Sequence, residues 1–190
     1  MAGRLIYLMG ASGCGKDTLL AYARERCGNR PGLVFAHRYI TRPADAGGEN
    51  HVALSADEFA ARRRAGLFAI DWDSHGHSYG LGVEIDQWLA AGLTVVANGS
   101  RQHLPQVQQR FPDLVPVLVE VSEPVLRMRL YQRGRETPAQ IDERLRHHAE
   151  MAISAPDSSI VISNDRPLAQ SGEAFVALLS SLARKEEQCE

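Results

Sequence analysis

The clearest chemistry in the chain lies in Gly10 to Thr18, GASGCGKDT, set between a short apolar run and the start of a helical pattern. Gly10, Gly13 and Gly15 let the backbone turn successive N–H groups inward, and the following helix adds the positive end of its dipole. Ala11, Ser12 and Cys14 fill the remaining loop positions, and Cys14 reads as a spacer rather than a reactive thiol. Lys16 is placed to reach the β- and γ-phosphates of a nucleoside triphosphate. The segment predicts an ATP-binding loop and, with it, a phosphotransferase.

One position departs from that motif. Ser or Thr is expected after the lysine, where its hydroxyl would ligate Mg²⁺, but Asp17 stands there and Thr18 follows. A carboxylate is also a hard oxygen donor for magnesium. It equally complements the helix dipole from the first turn, and both roles stay open. The apolar run Leu93 to Ala97 is where a second metal-holding acid would be sought, but it ends in Asn98, Gly99, Ser100. Asp17 and Thr18 are therefore the candidate metal residues.

The second constellation is arginine. Transfer to a hydroxyl needs a positioned base, whereas a phosphate acceptor is already anionic at neutral pH. A site for phosphate acceptors should be rich in arginine, whose fork matches the anion. Arg38 and Arg42 lie in HRYITRP, and Arg129, Arg133, Arg135 and Arg144 lie in RLYQRGRETPAQIDERL. Arg133 to Arg135, around Gly134 and before a capped helix, suggest a mobile lid. Lys16, Arg42, Arg133, Arg135 and Arg144 are the catalytic candidates. His75 and His77, and the adjacent His147 and His148, lack the cysteine or acid partners of a zinc site.

These residues need a frame, and the chain alternates strand and helix. Strands are expected at Leu5–Met9, Leu93–Ala97, Val115–Val121 and Ser159–Ser163. Such short β-branched runs suit a parallel sheet covered on both faces. A helix is expected from Lys16 to about Arg26 and another from about Pro167 to Arg184. Ser55 with Glu58, Ser122 before Glu123 and Pro124, and Thr137 with Pro138 and Gln140 mark helix starts. The result is an α/β fold in one P-loop kinase domain. Its core takes about 1–35, 93–126 and 149–190, with an acceptor-binding excursion at about 36–92 and the lid at about 127–148.

Bulk properties limit the alternatives. The 190 residues, 44% of them apolar, can bury one full core. A net charge of -2 gives no electrostatic case for nucleic acid. No apolar run approaches the roughly 20 residues that cross a bilayer, and Met1 to Arg4 leads straight into a strand without a signal peptide's apolar region. Three scattered cysteines fit a reducing cytoplasm. Monomer and homodimer both remain open.

With these motifs in hand, the chain resembles the guanylate kinase family. GASGCGKD resembles its GxSGxGKS loop, and YITRP at Tyr39–Pro43 resembles its TTRxP, whose arginine grips the acceptor phosphate and falls on Arg42. Gly48-Glu49, Tyr79-Gly80, the lid pattern Arg129–Leu145 and Ser163-Asn164-Asp165 continue the match. The last of these implies Asn164 and Asp165 near the adenine. The resemblance implies a P-loop, nucleoside monophosphate kinase-like fold with a central parallel sheet.

The departures fall on base recognition: Asp45 replaces a second phosphate arginine, His51 stands near a lost tyrosine, and Ala69 or Ile70 stands where guanine is read. Leu81 and Asn98 depart as well. HRYITR, GGENHVALS, SYGLGVEIDQWL and NGSRQHLPQ resemble a branch of the family that acts in phosphonate breakdown and keeps the aspartate after the lysine. That branch phosphorylates ribose 1,5-bisphosphate with ATP to give 5-phospho-α-D-ribose 1-diphosphate. It implies acceptor contacts among Arg38, Arg42, His51, Asp71, Tyr79, Asn98, Ser100 and Arg101, with Arg101 a candidate for the outer phosphate. The rival readings are a GMP kinase, a guanylate-kinase-like protein-binding module without chemistry, and a sugar-hydroxyl kinase using Asp71 or Asp73 as base.

Overall fold

The computed structural model describes residues 3–46, 48–134, 136–152 and 158–187. In chain order the strands are β1 (Leu5–Gly10), β2 (Leu33–Phe35), β3 (Arg38–Ile40), β4 (Val52–Ala53), β5 (Phe68–Ser74), β6 (His77–Gly82), β7 (Thr94–Asn98), β8 (Val115–Glu120) and β9 (Ile160–Ser163). The helices are α1 (Lys16–Cys27), α2 (Ala56–Arg64), α3 (Glu84–Ala90), α4 (Leu104–Arg110), α5 (Glu123–Arg133), α6 (Pro138–Ala152) and α7 (Leu168–Glu187). A 3-10 turn at Arg101–His103 joins β7 to α4.

Five strands form a parallel sheet in the order β2-β7-β1-β8-β9. β1 is central, and its alternation feeds two cores. Ile6 and Leu8 pack with Leu19 and Ala23 of α1, Phe175 and Leu179 of α7, and Leu126 and Leu130 of α5. Leu5, Tyr7 and Met9 pack on the other face with Ile85, Leu104, Val107 and the second sheet. Burial on both faces explains why β1 is a continuous apolar run rather than an alternating one. All five C-terminal ends lie at one edge, where a parallel α/β sheet places its ligand cleft.

The second sheet, ordered β4-β3-β6-β5, lies within the excursion expected only as polar and glycine-rich. Its main unit is the β5–β6 hairpin, turned at His75 and Gly76 with φ of 50° and 77°. Two successive positive φ values are the twist-matched hairpin turn, here made by His-Gly. Ile70 and Trp72 of β5 face the core. Asp71 and Asp73 point to the opposite side, where Arg63 of α2 pairs with both. β2 was also unforeseen, because three residues are too short to show a period.

All three helix starts fall where their signals put them, and two of them carry side-chain caps. Glu58 N–H donates to the Ser55 hydroxyl at 3.1 Å. Thr137 and Gln140 cap each other reciprocally at 2.8 and 3.4 Å. At α5 the Ser122 side chain makes no cap, and its N–H donates instead to Asp165 Oδ1 at 2.7 Å.

The end of β7 is set by Tyr7. The fully buried phenol accepts from Ser100 N–H at 2.8 Å and donates to Ser100 C=O at 3.1 Å. Burial pushes its pKa up to about 12, so it remains a donor at any ordinary pH. Gly99 lies against that ring, and a methyl built there would overlap it. Gly99→Ala should cost about 1–3 kcal/mol through overpacking. Thermal unfolding of the variant checks this; an unchanged melting temperature would contradict it.

Candidate active site

The loop Gly10–Gly15 arches from β1 to α1. Gly15 sits at φ 91° just before the helix, and a Cβ there would overlap the Asn164 amide. Only glycine meets both demands. Asn164 Nδ2 donates to Cys14 C=O at 2.7 Å, and Arg129 donates to Asn164 C=O at 2.7 Å and to Cys14 C=O at 3.4 Å. The loop is thus braced from beneath by β9's end and α5, with Cys14 fully buried. Lys16 Nζ donates to Gly10 C=O at 2.8 Å and Ala11 C=O at 3.1 Å, folding its ammonium back over the loop.

A cleft of about 970 Å³ opens in front of the loop. Gly10, Ala11, Ser12, Gly13, Gly15, Lys16, Asp17 and Thr18 line one part of it. Arg38, Arg42, Tyr79, Ser100 and Arg101 line another, and Arg133, Arg144 and Asn164 a third. Most of the residues selected by sequence therefore come together at one cleft.

Four do not face it as expected. His51 is buried, with Nδ1 2.9 Å from Glu49 C=O and Nε2 3.1 Å from Arg42 C=O, so it clamps the loop that carries Arg42. Asp71, with Asp73, is spent on Arg63 on the far side of the sheet, because a strand's side chains alternate in direction. Asp165 holds the entry to α5. Asn98 lies beside a small cavity of about 50 Å³ next to the main cleft. Arg135 lies outside the described residues.

Asn98 has an unforeseen role. Its Nδ2 donates to Asp17 Oδ1 at 2.9 Å and to Glu49 Oε2 at 3.2 Å. Glu49 in turn holds Arg38 in a two-pronged ion pair, Nε to Oε1 at 2.7 Å and Nη2 to Oε2. Burial pulls the Arg38 pKa down, but the Glu49 carboxylate more than reverses that, so the guanidinium stays charged. Arg38 also lies 5.0 Å over the Tyr79 ring. Arg38 is therefore already committed to a protein carboxylate.

Two other arginines are not. Arg42 Nε and Nη2 are buried without a hydrogen-bond partner among the described residues. Arg101 is only 9% exposed, and burial lowers its pKa. No carboxylate pairs with either among the described residues. A buried guanidinium without a counter-ion is costly, and such a group is retained where an anion comes to meet it. Glu136, Trp72 and Glu49 complete the cleft region and were not selected as site residues. Glu49 alone had a signal, in the Gly48-Glu49 pair.

A braced phosphate loop at the end of the central strand, faced by arginines, defines a kinase of the P-loop class. The same fold occurs in guanylate kinase from Anaplasma phagocytophilum, with a TM-score of 0.71 at 17% identity over 100% of this chain and 88% of that one. A gluconokinase from Sinorhizobium meliloti is more distant, with a TM-score of 0.51. No family model matches the chain. The chain belongs to the ribose 1,5-bisphosphate phosphokinase family. It is 53% identical over 178 residues to ribose 1,5-bisphosphate phosphokinase PhnN of Thiobacillus denitrificans, 94% of this chain and 93% of that one. It is 55% identical over 179 residues to the PhnN of Dickeya zeae, 94% of each chain.

Lys16 is the one ammonium over the loop among the described cleft-lining residues. Lys16→Ala should lower turnover by about two orders of magnitude or more while the fold persists. Turnover and circular dichroism measured together check this, and near-wild-type turnover would remove the loop from the chemistry.

Proposed function

We propose that the protein transfers the γ-phosphoryl group of ATP to ribose 1,5-bisphosphate, giving ADP and 5-phospho-α-D-ribose 1-diphosphate. The observation that carries this reading is the pair at one cleft of Arg42, with two buried unpartnered nitrogens, and the buried Arg101, neither with a carboxylate partner among the described residues. Together they make a receptor for an acceptor with two anionic groups. The assignments of the relatives support the same substrate.

In the transfer, an oxygen of the acceptor's 1-phosphate forms a bond to the γ-phosphorus. The bond from that phosphorus to the β,γ-bridging oxygen breaks, and ADP leaves with the electron pair. The attacking oxygen is already anionic, so no base is needed. Asp71 and Asp73, the candidates for such a base, are turned to Arg63. Lys16 and the loop N–H groups meet the β- and γ-phosphates. Arg133 and Arg144 meet the charge that spreads over the transferring group.

Asp17 and Thr18 both line the cleft from α1's first turn. Asn98 occupies Asp17 Oδ1, and Oδ2 has no hydrogen-bond partner among the described residues. These oxygens suit Mg²⁺ held directly or through water, and the ion would neutralise phosphate charge. No described helix is long and apolar enough to cross a membrane. The reading places the enzyme in the cytoplasm, with its ATP supply.

If Asp17 holds the metal, Asp17→Ala should raise the Mg²⁺ concentration for half-maximal rate, and Asp17→Ser should restore part of it. An unchanged magnesium dependence would leave only the helix-dipole role.

Product identification by mass, with ATP and a panel of acceptors, tests the reaction itself. Ribose 1,5-bisphosphate should be preferred over GMP by at least about a hundredfold in specificity. Comparable efficiency with GMP would restore the nucleotide kinase reading. Arg42→Ala should weaken the acceptor more than ATP. Arg101→Ala should hurt the bisphosphate more than ribose 1-phosphate, and equal losses on both would move Arg101 to the reacting phosphate.

A further inference from the structure

Glu136 is a carboxylate set among the arginines of the cleft's lid side. It stands between α5 and α6, its side chain only 9% exposed, and it lines the cleft directly. Its Oε1 is 3.0 Å from Arg144 Nη2 and 3.9 Å from Arg133 Nη2. Its Oε2 is buried with no hydrogen-bond partner among the described residues. Arg144 also reaches the phosphate loop, donating from Nη1 to the Ser12 hydroxyl at 2.9 Å. A carboxylate, two guanidiniums and the loop are thus gathered at one point.

This arrangement is poor as permanent structure. Half of the carboxylate is desolvated without a donor, which is costly for a charged oxygen. A carboxylate fixed against the phosphate loop would also repel ATP. Both difficulties vanish if the carboxylate occupies the guanidiniums only while no phosphate is there. Oε1, set between the two guanidiniums, takes the place that one oxygen of a phosphate would fill.

We propose that Glu136 is a phosphate stand-in: it neutralises Arg133 and Arg144 in the empty cleft and gives them up to the phosphates of ATP. It is a specificity-determining residue, because only a ligand with enough anionic charge can displace it. The inference rests on the reading of this cleft as a polyphosphate site.

Glu136→Gln keeps the size and removes the charge. Binding of ATP, inorganic tripolyphosphate and adenosine to the wild type and the variant is measured by calorimetry. ATP and tripolyphosphate should each bind roughly two- to fivefold tighter to the variant, the size expected for removing one competing ion pair. Adenosine, which has no phosphate, should be unchanged. A purely structural glutamate would give weaker binding or no change, and either result with tripolyphosphate overturns the proposal. An equal gain for adenosine would also overturn it. Tighter tripolyphosphate with no gain for ATP would uphold the stand-in and instead count against ATP as donor. Should the amide not fold, Glu136→Ala also lacks the charge and must show the same gain.

Discussion

One side-chain amide ties the phosphate-loop helix to the acceptor loop. Asn98 stands at the end of β7 and donates to Asp17 of α1 and to Glu49 of the acceptor loop. Glu49 carries the tie onward to Arg38 on β3. The helix that opens the phosphate loop and the sheet that faces it are thereby linked through a neutral donor, beside the apolar core the two sheets share. An aspartate at position 98 would bring three carboxylates within contact of one another, with repulsion replacing two charge-assisted hydrogen bonds. Such bonds contribute about 1.5–3 kcal/mol each when buried. The neutrality of residue 98 is therefore a condition of having a carboxylate at residue 17.

Two departures from the guanylate kinase pattern thus become one. In sequence, Asp17 in place of a hydroxyl and Asn98 in place of an acid are 81 residues apart and unrelated. In space they touch at 2.9 Å. The carboxylate has moved from the strand end to the helix start, and the neutral partner has moved the other way. The site keeps an acid beside the loop, now attached to the helix whose N-terminal dipole favours a negative charge.

How far the sequence was legible follows the range of each signal. β1, β7, β8 and β9 begin and end within one or two residues of expectation, because buried parallel strands are bare apolar runs. The loop and its lysine were legible because spacing and context coincide within ten residues. The second sheet was not. β3 and β4 are three and two residues long, and β5 mixes Asp71 and Asp73 with Trp72. That mixture was itself the signal: strict alternation followed by His-Gly marks a hairpin, and it also says that Asp71 faces away from Trp72's side. His51 illustrates another limit. A histidine in an acceptor loop suggests a ligand, and only the fold reveals that both ring nitrogens meet backbone carbonyls.

The aromatic residues bear on what kind of acceptor the cleft suits. A nucleotide offers a flat base whose binding draws on stacking and edge hydrogen bonds; a ribose bisphosphate offers only anions and hydroxyls. Trp72 lines the cleft, yet its ring is stacked on Tyr79 at 5.6 Å and 7°, and on His103 at 5.9 Å. Tyr79 carries Arg38 over its face. These faces are satisfied by one another. The charges show the opposite pattern: among the described residues two buried Arg42 nitrogens have no hydrogen-bond partner, and the buried Arg101 has no carboxylate partner. Recognition energy comes from groups whose needs are unmet in the free protein, since satisfied groups must first give something up. By that rule the cleft reads charge and not aromatic surface, as a base-free sugar bisphosphate requires.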